Sequence, residues 1–273
     1  MNWRIVRAIA LKDLKEVLGN RMAWMPALIV PVIFAVVLPL GIGLLPGSVN
    51  MPGGNSAEGI AQFRAMMPPD LVESLADLPA EQVIAIFTLG YLFAPMFLIM
   101  PLMFASIVGS ESFVGEKERK TIEALLYTPA NDRELFLAKV LAAVIPSVLL
   151  SLITFAVYTV VVNLVTNSTI GMTWFPLAHW WPLMLWVAPA AAVLGIAATV
   201  IISSRVSTFM EAYQMSGALV LPVMILVLGQ VGGVIFLTVE LLLVIGALVW
   251  VLDAVLISIG MKQFSRSALM ARV

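Results

Sequence analysis

Apolar stretches of membrane-crossing length recur from one end of this chain to the other. Residues 22–45, 81–109, 140–165, 183–202, 212–228 and 234–261 are almost free of charge. About 20 such residues, rising 1.5 Å each, cross the ~30 Å hydrocarbon core of a bilayer as one helix. The chain is 62% hydrophobic and 11% charged, whereas soluble domains run near 45–50% and about 25%. Lipid must therefore solvate much of it. The runs are too continuous for the alternating ~10-residue strands of an outer-membrane barrel. The predicted fold is all-α, a polytopic bundle of about six spans in a single transmembrane domain.

Punctuation between the runs adds detail. Pro26, Pro31 and Pro39 interrupt the first span, which a buried membrane helix tolerates when neighbours re-satisfy its backbone. Pro79 suits the first turn of the second, which Pro95 and Pro101 are expected to bend. Residues 46–80 form an acidic, Gly/Pro-rich loop with short helices expected near 57–66 and 70–78. Trp174, Trp180 and Trp181 read as an interfacial aromatic belt. Residues 234–261 exceed one crossing, so their first part is expected to dip into the outer leaflet before the sixth span. Ahead of the first span, Trp3, Val6, Ala10, Leu14 and Val17 share one helical stripe, with Arg4, Lys12, Lys15 and Glu16 elsewhere. That is an amphipathic interfacial helix anchored by Trp3. The apolar run behind it is too long for a signal-peptide core.

The basic residues set the orientation. Arg4, Arg7, Lys12, Lys15 and Arg21 precede the first span. Lys117, Arg119, Lys120, Arg133 and Lys139 follow the second, Arg205 the fourth, and Lys262, Arg266 and Arg272 the sixth. Only Arg64 falls on the other side. The expectation is a multi-pass plasma-membrane protein with both termini and the charged segment 110–139 in the cytoplasm. That segment carries five bases and six acids, a balance unlike the polybasic loops that bind anionic lipid. From Glu116 to Tyr127 good helix formers dominate, Glu116 and Lys120 are an i,i+4 pair, and Ile122, Leu125 and Leu126 cluster. Asn131 with Glu134 is a capping-box start for the helix that becomes the third span. The loop is either a protein-docking helix or a solvated connector.

The stretch G-E-K-E-R-K-T-I-E-A-L-L-Y-T-P at 115–129, with R-E-L-F-L-A-K at 133–139, resembles the permeases of type-2 ABC (ATP-binding cassette) transporters. Gly115, Glu116, Lys117, Glu118, Arg119, Thr121, Glu123, Leu125, Leu126, Thr128 and Pro129 match that family's loop motif. Arg133, Glu134, Leu135 and Lys139 match its step into the next helix. Lys120 stands where glycine is usual. The resemblance implies that Glu116, Lys117, Glu118, Arg119, Thr121, Ile122, Glu123, Leu125 and Leu126 form a coupling helix that docks on a separate ATPase subunit. It also implies a second permease copy or a related permease, and export as the direction of transport. The chain has no G-x-x-x-x-G-K-(S/T) loop, so ATP and Mg²⁺ are expected on the partner and no cofactor on this chain.

Other candidate chemistry is sparse. There is no cysteine. His179 is the single histidine, which excludes an H-E-x-x-H zinc site, and it reads as structural. No G-x-S-x-G elbow is present. Glu240 and Asp253 lie in the last apolar stretch, about 20 Å apart along a helix and on different faces. Glu240 is expected near the outer boundary. Asp253 is expected to need a partner in the bundle, with either a structural hydrogen bond or a transport role. An ion-gradient transporter would want paired intramembrane carboxylates and an inverted repeat, and neither is evident. A non-transporting membrane subunit of such a complex is a further alternative. Neither a metal nor a nucleic acid is expected as a partner.

Overall fold

The computed structural model describes residues 2–19, 21–44, 61, 64, 67, 69–75, 77–119, 121 and 130–263, which are almost wholly helical with no strand among them. Helix α1 is Trp3–Gly19. Helix α2, residues 21–44, is α-helical on either side of a π-helical stretch at Ile33–Val37. A short α3, Pro69–Ser74, follows. Then come α4 (Ala80–Glu118), α5 (Asp132–Ile170), α6 (Trp180–Ser203), α7 (Phe209–Val231) and α8 (Val239–Gln263). These last five are long and apolar enough to cross a membrane, and α2 contributes the shorter apolar helix Leu28–Ile42. The polytopic helix bundle is as the sequence predicts.

Helices α4 and α5 are 39 residues each, about 58 Å at 1.5 Å per residue. Both extend well beyond a ~30 Å core. The segment expected as loop from Ser110 is thus helical through Glu118, carried on by a π-helical stretch at Ser110–Gly115. Residues 110–116 are all buried, and a buried backbone must satisfy itself, which continued helix does. Glu116–Glu118 is the last turn of α4, capped at Arg119, so no new helix opens at Glu116; residues 122–129 of the expected helix lie outside the described residues. Helix α5 starts as predicted. The Asn131 side chain accepts from the Glu134 N–H, and the Glu134 carboxylate accepts from the Asn131 N–H. It stops at Gly171, whose φ of 75° is the left-handed cap geometry that favours glycine.

The bundle has two chemically distinct ends. At one, Met67, Leu75, Val83 and Phe87 pack with Ile170, Trp174 and Phe236. At the other lie α1, the turn after α4, the start of α5 and the 204–208 link. Among the described residues, every Lys and Arg except Arg64 is at this second end. The expected dip before the sixth span is replaced by an irregular link, Val234–Thr238, after which α8 runs straight through. Leu237 buries itself there and Phe236 meets Phe87 edge-on, so the segment is used for packing.

The bend at Pro95 organises the centre. Ahead of it α4 is π-helical over Ile86–Leu92, and behind it is a 3₁₀ turn, Pro95–Leu98. Phe93 N–H donates to Thr88 O and Ala94 N–H to Tyr91 O, while Pro95 has no N–H to give. The carbonyls of Leu89 and Gly90 are left over. Tyr158 Oη donates to Leu89 O at 2.6 Å, Trp180 Nε1 donates to Gly90 O at 2.7 Å, and His179 Nε2 lies 2.9 Å from Gly90 O. His179 is structural, as predicted. Trp180 is not part of an interfacial belt: it is fully buried against Phe97, Phe155, Tyr158 and Phe175. Trp181 is half exposed. Pro101 falls inside the α-helix that resumes at Ile99 and makes no second break.

Candidate functional site

The site lies where α4 ends and the charged loop begins. Its centre is Lys139, on the second turn of α5 and 1% exposed. A lysine there cannot keep its charge without partners. Its Nζ donates to Ser112 O at 2.7 Å, Ser112 Oγ at 2.9 Å, Glu116 Oε2 at 2.8 Å and Asp13 Oδ2 at 3.3 Å, and sits 5.3 Å from the centre of the Phe113 ring. Ser112 Oγ in turn donates to Asp13 Oδ2. Asp13 and Glu116 are each 1% exposed. Two buried carboxylates against one buried ammonium would leave a net negative charge. Lys12, half-buried, supplies the balance.

Lys12 Nζ contacts three carboxylates: Glu116 Oε1, Glu16 Oε1 at 3.1 Å and Asp13 Oδ1 at 3.5 Å. Carboxylate oxygens of Asp13, Glu16 and Glu116 lie within 4.8 Å of one another, the spacing of a cation site. The Lys12 ammonium fills that role, and no metal is assigned. Burial works against the Lys12 charge, but the hydrogen bond and charge of Glu116, with Asp13 and Glu16, outweigh it and raise its pKa above the ordinary lysine value.

The remaining motif residues extend the cluster outward. Arg119 Nη1 donates to Glu111 Oε1 at 2.6 Å, and Arg119 reaches Glu16 at 3.8 Å. Gly115 sits beneath this pair. A Cβ there would lie 3.2 Å from the Glu111 carboxyl and 3.4 Å from the Arg119 guanidinium, tighter than either side chain accepts without moving. Thr121 returns both its N–H and its hydroxyl to Glu116 O, closing the end of α4. Lys117 Nζ donates to Val206 O at 3.0 Å, and Glu118 accepts the Phe209 N–H at 2.8 Å. Phe209 opens α7, whose first turn is otherwise capped by Thr208 and Glu211, so Glu118 serves an orphan donor of that helix from across the bundle. At the start of α5, Glu134 accepts the Asn2 N–H at 2.6 Å and so fixes the beginning of α1.

The last turn of α4 is therefore bonded to α1, to α5 and to the α6–α7 link at once. Sequence reasoning picked Glu116, Lys117, Glu118, Arg119 and Thr121, and the structure brings these together. It places Glu116 inside the bundle rather than on a docking rim, because Lys139 and Lys12 both need it. Ile122, Glu123, Leu125 and Leu126 lie outside the described residues. Asp13 and Ser112 were missed. The available signal was Lys139 itself, a cation at the mouth of an apolar span that required carboxylates nearby. Trp3, 61% exposed, stands on the outer face of α1. Glu240 is exposed on the first turn of α8, an ordinary place for an acid. Asp253 is 1% exposed, and neither carboxylate oxygen has a hydrogen-bond partner among the described residues.

No curated protein matches the sequence. A family model described as ABC-2 family transporter protein matches residues 7–261. That match runs from the interfacial helix through the anchored loop motif to the end of the last span, so the chain belongs to the ABC-2 transporter family, as a multi-pass membrane subunit that is not itself the ATPase.

Proposed function

We propose that this chain is the permease of an ATP-driven exporter, moved by a separate ATPase subunit that docks on the loop between α4 and α5. ATP and Mg²⁺ belong to that subunit, and two permeases, identical or related, surround the path. The observation that carries this reading is the anchoring of the last α4 turn to α1, α5 and the α6–α7 link. A solvated connector has no use for bonds to three separate elements. A loop that must move spans on command does, because force applied to it reaches each of them without slack. Lys117 and Glu118 are the outward links, and the Asp13–Glu116–Lys139 cluster is the inward one.

Docking and transmission can be separated by experiment. Leu126→Asp, or Glu118→Lys together with Glu123→Lys, should leave membrane insertion intact and weaken capture of the companion ATPase. Lys117→Ala with Glu118→Ala removes both side-chain bonds to the α6–α7 link without reversing charge at the docking rim. That variant should retain ATPase capture but lose substrate-dependent hydrolysis and export in proteoliposomes. Wild-type capture and export in all of these variants would remove the loop from the coupling role.

A further inference from the structure

Between α1 and α5 runs a groove of about 280 Å³ with almost no polar atom in its lining. One wall is Trp3, Val6, Ala10 and Leu14; the other is Leu141, Ala142, Ile145 and Pro146. Ala10 and Ala142, one from each wall, are the smallest side chains of the lining. Trp3 to Leu14 spans about 16 Å along α1 at 1.5 Å per residue, a length suited to an acyl chain. Trp3 at 61% exposed and Ile145 at 53% exposed flank its open side. In a membrane protein such a cleft is filled by a hydrocarbon.

The rim supplies the second observation. Arg7 lines the groove, and Arg4 and Lys15 follow on the same flank of α1 at 100° per residue. All three side chains are exposed, and none has an ion pair among the described residues. The acids of α1, Asp13 and Glu16, are turned to the opposite flank and held by Lys12, Lys139 and Arg119. The helix thus divides its charge. Its inner flank is neutralised within the protein, and its outer flank presents cations beside an apolar slot. Hydrocarbon next to unpaired guanidinium matches one ligand chemistry, a phosphate ester carrying a fatty chain.

We infer that this groove binds one anionic phospholipid, its chain between α1 and α5 and its phosphate on Arg7 and Arg4. The bound lipid completes the packing of α1 on α5. The lipid senses the region next to the coupling loop, because Asp13 and Lys12 of the same helix hold Glu116.

Purified protein in a neutral detergent can be titrated with phosphatidylglycerol, phosphatidylcholine or glycerol phosphate while thermal unfolding and lipid retention by native mass spectrometry are followed. Phosphatidylglycerol should raise the unfolding temperature and be retained. Phosphatidylcholine should do so more weakly, and glycerol phosphate not at all. Arg7→Gln, an exposed change that leaves the fold alone, should weaken phosphatidylglycerol about fivefold, one surface cation's worth, and weaken phosphatidylcholine, whose choline offsets its phosphate, by less. Ala10→Phe, which fills the groove, should abolish the response to both lipids. Equal responses to the two lipids in the wild type, or an effect of glycerol phosphate alone, would overturn the proposal. Loss of dimer in Ala10→Phe on size exclusion, with the lipid response intact, would assign the groove to a second copy of the chain and overturn it equally.

Discussion

Replacing Lys139 by methionine removes a cation that faces both Asp13 and Glu116 while leaving those carboxylates buried. Breaking a buried ion cluster from one side costs about 3–5 kcal/mol, so Lys139→Met should unfold in detergent at a clearly lower temperature than wild type. Lys139→Met combined with Glu116→Gln and Asp13→Asn should recover much of that loss, because no uncompensated charge remains. Lys12 makes a different prediction. Its folded pKa is raised above the ordinary value of 10.5, so the stability it contributes is complete below that pH and drains away as pH climbs past it. Between pH 8 and pH 11.5 the wild type should lose more unfolding temperature than Lys12→Met, and a parallel decline in the two would show that the raised pKa contributes nothing. The partners of these lysines lie 126 residues away in the case of Asp13 and 104 in the case of Glu116. Hydropathy and periodicity carry no information across such separations. That is why Lys139 could be matched to a motif while Asp13, buried on the inner flank of α1, went unread.

Helix packing has its own sensitive points. A Cβ on Gly195 of α6 would lie 2.5 Å from Leu102 O and 3.0 Å from Ser106 Oγ of α4, and a backbone carbonyl cannot step aside. Gly195→Ala should separate the two helices and lower stability by about 1–3 kcal/mol, the usual cost of overpacking, measured by thermal unfolding against Gly217→Ala, where the space is open. Helix α8 reads differently. Its buried stripe is Leu242, Gly246, Asp253 and Gly260, with Gly246 against Trp186 and Gly260 against Val200. Asp253 occupies this seam without a hydrogen bond among the described residues. A polar partner in the bundle, as the sequence leads one to expect, would make Asp253→Leu destabilising. With both oxygens unsatisfied the sign reverses: Asp253→Leu should raise stability by about 1–3 kcal/mol, the relief of an unmet buried polar group. Element existence was legible because apolar runs announce themselves. Element ends were not, because the π-helical stretch at Ser110–Gly115 lets polar residues continue a helix that composition would stop.

The molecule as a whole sorts charge by end, and topology is testable in a chain with no native cysteine. Asp77→Cys and Lys262→Cys place thiols at exposed positions on opposite ends. In intact cells a membrane-impermeant maleimide should label the first and spare the second until the membrane is opened; the reverse pattern would invert the orientation. The polytopic helix bundle was readable from the apolar runs. The mutual arrangement of the helices was not, since it depends on which carbonyls a proline orphans and which aromatic rings reach them.

Helix α5 is unbroken through Pro146 and runs from Asp132 to Ile170. Tyr158 pins it to Leu89 O about two-thirds of the way along. Such a rod is a lever with a fulcrum. Its arm toward the coupling loop is about 39 Å and its far arm about 18 Å at 1.5 Å per residue. If the rod turned about Tyr158, a sideways push at Asp132 would return at Ile170 in the opposite sense, at roughly half the travel and twice the force. On the proposed coupling, a long stroke at the loop end would become a short, strong one at the other mouth of the bundle.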